Sequence, residues 1–200
     1  MHTFRQATAD HAEFIAAIII RQGRGIVEHL IENLVFGLSA QDILSAFLMK
    51  GEPPYALENC VLAMHRDEVA GLCFAYPSSE HILPTLMTNF IPKKRLQTVR
   101  QIFETTIPDS LYINTFWVDE LSGKKQLEQS LLLETDNRCQ TLSLSGMCKF
   151  CWNDDEEQMH FLHDNGFLLH RHFFQEEVPL EGREQGGSLL FRKSRTSVCQ

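Results

Sequence analysis

The sequence is poor in long apolar stretches. Its longest apolar run near the N-terminus, Phe14–Ile20, has seven residues, whereas a membrane-spanning helix needs roughly 20. Asp10 and Glu13 precede this run, at the position where a secretory signal peptide carries positive charge. The sequence therefore predicts neither a membrane segment nor a signal peptide.

Positive charge is also scarce. Lysine and arginine total 18 against 26 aspartate and glutamate residues, which gives a net charge of −8. A nucleic-acid-binding protein needs a basic surface to neutralise phosphates, so nucleic acid is not expected as a partner. The six cysteines have irregular spacings, which favours reduced thiols in a cytoplasmic protein.

The chain does contain enough apolar residues for a core. Hydrophobic residues make up 44% of its 200 residues, a length and composition that suit one folded unit. We assign residues 1–194 to a single domain with a helical insertion around 78–108, and residues 195–200 to a loose tail. Internal repeats and low-complexity segments are absent from the sequence.

Apolar periodicity and turn residues predict an alternation of strands and helices. Strands are predicted at Thr3–Gln6, Asn59–His65, Val69–Tyr76, Leu111–Val118, Thr141–Ser145, Phe167–Gln175 and Ser188–Arg192. Helices are predicted from Asp10, over Gly25–Phe36, from Ser39, in two pieces within 78–108, after Lys125, and over Asp155–Asn165. The strand–helix–strand unit from Leu111 to Ser145 should be a right-handed parallel crossover, and Val69–Tyr76 should pair antiparallel with Leu111–Val118.

The chain is organised around Leu111–Leu133. A β-branched and aromatic strand runs through the polar turn Asp119–Lys125 into an amphipathic helix that carries Leu127, Leu131 and Leu132. A strand that leads directly into a helix presents free backbone N–H groups at the helix start. Such a junction can bind a phosphate group.

Four stretches, in this order along the chain, resemble the GNAT N-acetyltransferase superfamily. Phe4–Asp10 is similar to the opening "R-x-A-x-x-D", and Leu62–Ala75 to the strands "V-x-x-x-x-G-x-x-V-G". Leu111–Val118 resembles the central "L-Y-I-N-x-x-x-V", and His163–Phe167 the closing "Y-E-K-L-G-F". The resemblance covers nearly the whole chain and implies an α/β fold (α+β by some schemes), with a central mixed, mostly antiparallel twisted sheet of about six or seven strands flanked by helices on both faces.

The resemblance also implies a co-substrate, acetyl-CoA, and no metal. In this superfamily the backbone of the central strand holds the pantetheine arm, and a glycine-rich helix start binds the pyrophosphate. The cofactor-binding residues implied here are Phe116, Trp117, Val118, Gly123, Lys124, Lys125, Gln126, Leu127 and Glu128. Gln126 and Glu128 stand where the superfamily has glycines, and a carboxylate there would repel a pyrophosphate.

The usual proton donor is also replaced. Leu162 stands where the superfamily often has a tyrosine. Asp155 stands where it often has an asparagine, unless a short insertion moves Asn153 into that role. Leucine can neither give nor take a proton, so Tyr112 and Asn114 on the central strand become the catalytic candidates. Glu28, His29 and Glu32 are further candidates for a general base.

Two functions follow from these residues. The first is an acyltransferase that passes an acetyl group from acetyl-CoA to a small-molecule or peptide amine. The alternative is a catalytically degenerate GNAT-fold module that binds a ligand or a partner without transfer, as Gln126, Glu128 and Leu162 suggest. A homodimer is compatible with either.

The remaining clusters are interpreted as structural. Cys148, Cys151, His160 and His163 are the only metal-like group, but their spacing is shorter than that of a zinc finger. We expect two loop thiols and two exposed helix histidines. His170 and His172 should face solvent on one strand. Lys93, Lys94, Arg95 and Arg100 form a basic cluster on the outer face of a helix, or alternatively a contact for an acidic group.

Overall fold

The computed structural model describes residues 2–120, 123–173 and 187–195. The strands are β1 Thr3–Gln6, β2 Cys60–His65, β3 Glu68–Pro77, β4 Ser110–Val118, β5 Gly146–Trp152, β6 Leu168–Phe173 and β7 Ser188–Ser194. The helices are α1 Ala12–Gly23, α2 Ile26–Ile31, α3 Ala40–Lys50, α4 Thr85–Phe90, α5 Lys93–Glu104, α6 Lys124–Thr141 and α7 Glu156–Asp164. None of the helices in these ranges is long and apolar enough to cross a membrane.

All seven strands form one mixed sheet in the order β1-β2-β3-β4-β5-β7-β6. The β4–β5 pair is parallel, and the other neighbouring pairs are antiparallel. The predicted antiparallel pairing of the third and fourth strands and the parallel crossover that follows are both present. The predicted α/β architecture, with a mixed, mostly antiparallel sheet, is confirmed.

Helices cover both faces of this sheet. On one face, apolar residues of α1, α2, α3 and α5 pack in a core with inward residues of β2 and β3. On the other face, Leu127, Leu131 and Leu132 of α6 and Leu162 of α7 pack over β4 and β5. The sheet alternates its buried side chains between these two cores, since successive residues of a strand point to opposite faces.

Local chemistry explains several element boundaries. Ser39 caps α3 by accepting a hydrogen bond from Asp42 N at 3.1 Å, and Asp42 Oδ2 accepts one from Ser39 N at 2.8 Å. The β2–β3 hairpin contains no glycine, and Arg66 and Asp67 both take positive φ angles, 50° and 69°. Both angles lie in the left-handed region that tight hairpin turns require.

One predicted strand is misplaced, one predicted helix is too long, and several other element ends shift by one or two residues. Thr141 closes α6, and the strand assigned to Thr141–Ser145 lies instead at Gly146–Trp152, where a glycine, a lysine and two cysteines disguise a buried strand. The helix predicted over Gly25–Phe36 ends at Ile31, because the backbone at Glu32 is extended. The strand from Phe167 begins at Leu168; its predicted end at Gln175 lies outside the described residues, as do residues 196–200 of the predicted tail.

The segment assigned to a helical insertion, 78–108, contains α4 and α5. Arg95 of α5 donates hydrogen bonds to the carbonyl oxygens of Leu30 and Glu32, at 3.3 and 2.8 Å. Arg95 therefore fastens α5 to the end of α2, whereas Lys93, Lys94 and Arg100 are exposed. Three members of the predicted basic cluster thus lie on an outer face, and the fourth is a structural contact.

One irregularity in β4 positions the site. Thr115 is paired with Phe74 and Ile113 with Ala75, so Asn114 is an extra residue, a β-bulge, on β4. The parallel pairing of β4 with β5 also ends here, at Ile113 opposite Lys149. Beyond this point the two strands separate and leave a gap in the middle of the sheet.

Candidate active site

An inner pocket of about 240 Å³ lies beside the gap between β4 and β5. Its polar lining includes Gln22, Tyr112, Asn114, Lys149 and Asp155, and its apolar lining comes mainly from α1, α2 and α5. Both predicted catalytic residues, Tyr112 and Asn114, therefore meet at one cavity. Lys149 joins them, and nothing in the sequence pattern had pointed to it.

Tyr112 is enclosed by aromatic rings. Its ring centroid lies 3.8 Å from that of His81 and 5.5 Å from that of Tyr76. Burial raises the pKa of the Tyr112 phenol well above its usual value, and the nearby Cys148 thiol adds to the shift. Tyr112 is therefore a neutral phenol at physiological pH and shapes the pocket wall.

Asn114 belongs to a buried chain of hydrogen bonds. His81 Nε2 lies 3.1 Å from the Ile102 carbonyl oxygen, which can only accept, so Nε2 carries the proton. Nδ1 then accepts from the Tyr76 hydroxyl at 3.2 Å, and Asn114 Nδ2 donates to that hydroxyl at 3.3 Å. Burial lowers the pKa of His81 to about 4, so the imidazole is neutral. Each group therefore donates to the next one, from Asn114 through Tyr76 and His81 to the Ile102 carbonyl oxygen.

Gln22 of α1 hydrogen-bonds to the backbone of β4. Its Nε2 donates to the Phe116 carbonyl oxygen at 2.8 Å, and its Oε1 accepts from Phe116 N at 3.2 Å. The side-chain amide thus pairs with Phe116 as a neighbouring strand would. Phe116 is one of the residues expected to hold the pantetheine arm, so Gln22 occupies the groups that this arm would use.

An outer cleft of about 700 Å³ continues from the gap toward the start of α6. Five of the predicted cofactor residues line it, namely Phe116, Trp117, Val118, Lys124 and Glu128. The cleft shares Arg21, Gln22, Asp155 and Gln158 with the inner pocket. The Phe116 ring stacks on Phe161 of α7 at 5.0 Å across this cleft.

The other four predicted cofactor residues contribute less. Gly123, at φ 72°, precedes α6, and its carbonyl oxygen accepts from the backbone N–H groups of Gln126 and Leu127. The Leu127 side chain is fully buried in the core, and the Gln126 side chain is exposed. Lys125 lines a neighbouring depression with Lys124 and Glu128.

Carboxylates outnumber cations in the outer cleft. Asp119, Glu120, Glu128, Asp155 and Glu157 line it, against Arg21 and Lys124. Burial raises the pKa of Glu128; Lys124 opposes that shift and Glu157 adds to it.

Ion pairs hold this cleft together. Lys124 pairs with Glu157 of α7, and Arg24 binds Asp154 at 2.7 Å and Asp155 at 2.9 Å. A diphosphate at the helix start would have the first backbone N–H groups of α6 and both lysines as donors. To donate to a phosphate, Lys124 would first have to release Glu157.

The structure also places the remaining candidates. Leu162, on the inner face of α7, is fully buried, so the position of the usual tyrosine is part of the core. Asp155 caps α7 by accepting from Gln158 N at 3.1 Å. Glu28 and His29 do not line the inner pocket, and His170 and His172 are exposed.

The metal-like group is dispersed. Cys148 and Cys151 lie within β5 and not in a loop, and they are buried in the cores on opposite faces of the sheet. His160 and His163 are exposed on α7. Among the described residues, no group of three or more histidine, cysteine, aspartate or glutamate side chains could hold a metal ion.

Comparisons with known proteins identify the fold. The sequence matches no model of a known protein family and no curated protein. Among solved structures, an N-acetyltransferase from Staphylococcus aureus Mu50 is similar over 96% of this chain and 100% of its own, with a TM-score of 0.65 and 13% identity. A Drosophila melanogaster polyamine N-acetyltransferase, which forms N-acetylagmatine, is similar over 98% of this chain and 100% of its own, with a TM-score of 0.59 and 13% identity.

A chain of the NatC complex, solved with a Gag peptide and CoA bound, is also similar. It covers 98% of this chain and 99% of its own length, with a TM-score of 0.55 and 10% identity. Each of these matches covers nearly the whole of both chains, and all three indicate the same fold. The chain has the GNAT fold, as the four sequence motifs implied.

Proposed function

We propose that this chain is an N-acetyltransferase that transfers an acetyl group from acetyl-CoA to a small amine in the cytoplasm. The observation that carries the proposal is the separation of β4 from β5 at Asn114, where the outer cleft meets the inner pocket. A transferase must bring two substrates together at one point, and these cavities share four residues there. Free, buried thiols at all five cysteines in the described part of the chain support a reducing compartment.

In this proposal the outer cleft binds the acetyl donor and the inner pocket binds the acceptor. Acetyl-CoA, when bound, supplies an acyl group activated as a thioester. The backbone of Phe116 would hold the donor arm after Gln22 leaves, and Lys124 and Lys125 at the start of α6 would bind its phosphates. The inner pocket, with Tyr112 and Asn114 on its wall, would orient the acceptor amine and exclude water.

A second candidate function has specific support. Gln22 occupies the Phe116 backbone, and five carboxylates surround the phosphate position. Both features fit a degenerate GNAT module that binds a ligand without transferring an acetyl group.

Melting in the presence of acetyl-CoA separates the two functions. A ligand at a hundred times its dissociation constant stabilises a protein by about 2.7 kcal/mol, so the enzyme should melt at a clearly higher temperature. It should also release CoA with at least one member of a panel of small amines. Binding without CoA release would favour the degenerate module, and an unchanged melting temperature at millimolar acetyl-CoA would refute the transferase.

A further inference from the structure

Lys149 is a buried lysine at the point where β4 and β5 separate. Its side chain is only 3% exposed, and it belongs to the last residue pair before the gap, opposite Ile113. Its Nζ atom lies 3.4 Å from the carbonyl oxygen of Asn114, the bulge residue. Lys149 also lines the inner pocket, and it interacts with Asp155, which lines both cavities, so its amine stands close to the point where the two cavities meet.

A positive charge on Lys149 is poorly balanced where it stands. Over residues 2–120, 123–173 and 187–195, no carboxylate lies within ion-pair distance of its Nζ atom. The nearby acid, Asp155, is bound to Arg24, and burial raises the pKa of the nearby thiols, Cys73 to about 11 and Cys151 to about 12, so both are neutral. A buried cation with one long hydrogen bond is costly. A negative charge that forms in the gap would offset that cost.

The proposed reaction generates such a charge, and the usual group that meets it is missing. Leu162 has no proton to give, and burial raises the pKa of Tyr112 well above its ordinary value. Burial acts in the opposite direction on Lys149 and lowers its pKa, which makes the ammonium a better proton donor.

We propose that the Lys149 ammonium is the general acid that protonates the leaving sulfur, in place of the missing tyrosine. This inference rests on the proposed acetyl transfer. As the acceptor nitrogen bonds to the acyl carbon and the carbon–sulfur bond breaks, Nζ gives one proton to the sulfur and becomes a neutral amine. The proton that the acceptor nitrogen loses then restores the ammonium, so the proton balance closes with no further reactant.

Two substitutions separate the charge of Lys149 from its proton. Lys149→Met removes both, whereas Lys149→Arg keeps a positive charge that does not give up its proton. We expect kcat to fall about 100-fold or more in each variant, which is the usual contribution of a general acid. Lys193→Met is the matched control, because this lysine lies on β7 and does not line either cavity.

A second measurement needs no substitution. The wild-type kcat should fall as the pH rises through the lowered pKa of Lys149, because the neutral amine has no proton to give. Lys149→Met should have lost this limb of the pH profile, and Lys193→Met should keep it. The wild-type profile tests the proposal even where a core substitution fails to fold.

The outcomes are distinguishable. A wild type that turns over while either Lys149 variant keeps its kcat, or a wild type whose kcat does not fall as the pH rises, overturns the role of Lys149 alone. A wild type that does not bind acetyl-CoA overturns both this role and the proposed function.

Discussion

Replacing Gln22 with alanine should make the protein bind acetyl-CoA more tightly. The Gln22 amide makes two hydrogen bonds to the Phe116 backbone, at 2.8 and 3.2 Å. The pantetheine arm must break both before it can use the same groups. Gln22→Ala removes this competition, so the variant binds acetyl-CoA without the free-energy cost of breaking these two hydrogen bonds.

The expected gain in acetyl-CoA affinity follows from these two hydrogen bonds. A neutral hydrogen bond contributes about 0.5–1.5 kcal/mol net, so two of them amount to about 1–3 kcal/mol. Water on the freed backbone recovers part of this in the variant, which leaves a gain of about 1.4 kcal/mol, or about tenfold in the dissociation constant. The unliganded variant should lose stability by a similar amount.

Isothermal titration with acetyl-CoA and urea unfolding measure the two effects. Gln41→Ala is the control, because Gln41 is an exposed glutamine on α3 that donates one bond, to the Glu13 carbonyl oxygen at 3.3 Å. It should leave the affinity unchanged. If Gln22→Ala lowers the stability yet binds acetyl-CoA no better than the wild type, the donor does not pair with Phe116 and the placement of the arm is wrong.

Two further predictions concern charge. Glu128→Gln should tighten acetyl-CoA binding several-fold at low salt, because it removes a carboxylate beside the phosphate position; titration at rising ionic strength should shrink the difference from the wild type, and an effect that salt does not change would point to packing instead. His81 is neutral in the folded state and its pKa is lowered to about 4 from 6.5, so the unfolded chain binds the extra proton between these values. The contribution of His81 to the free energy of unfolding is therefore present above pH 6.5 and is lost as the pH falls toward 4, by up to about 3 kcal/mol. Urea unfolding of the wild type and of His81→Phe should show that the variant has lost this pH dependence.

The central strand and its helix could be predicted because local chemistry and burial agree there. The apolar run of β4 is buried on both faces, and Leu127, Leu131 and Leu132 form the inner stripe of α6. The cap of α3 at Ser39 and the glycine-free hairpin were equally local. In each case the residues that decide the structure lie within a few positions of one another.

The closure of the gap by Gln22 could not be predicted. Gln22 and Phe116 are 94 residues apart, and a glutamine on an amphipathic helix is typical of a solvent-facing position. The sequence also did not predict β5 as a strand, because a buried strand is not expected to contain a lysine such as Lys149. His81 follows Pro77 in a polar stretch, and only the packing of α5 shows that it is buried.

The carboxylates around the outer cleft would also affect how quickly each substrate of the proposed reaction arrives. A surface with an excess of one charge slows the diffusional approach of ligands with the same sign and speeds that of ligands with the opposite sign. The phosphate-bearing donor of the proposed reaction would therefore be delayed, and a cationic amine would be drawn in. Salt weakens both effects over a Debye length of about 8 Å at physiological ionic strength, so the ionic strength of the medium would help to decide which of the two substrates reaches this protein first.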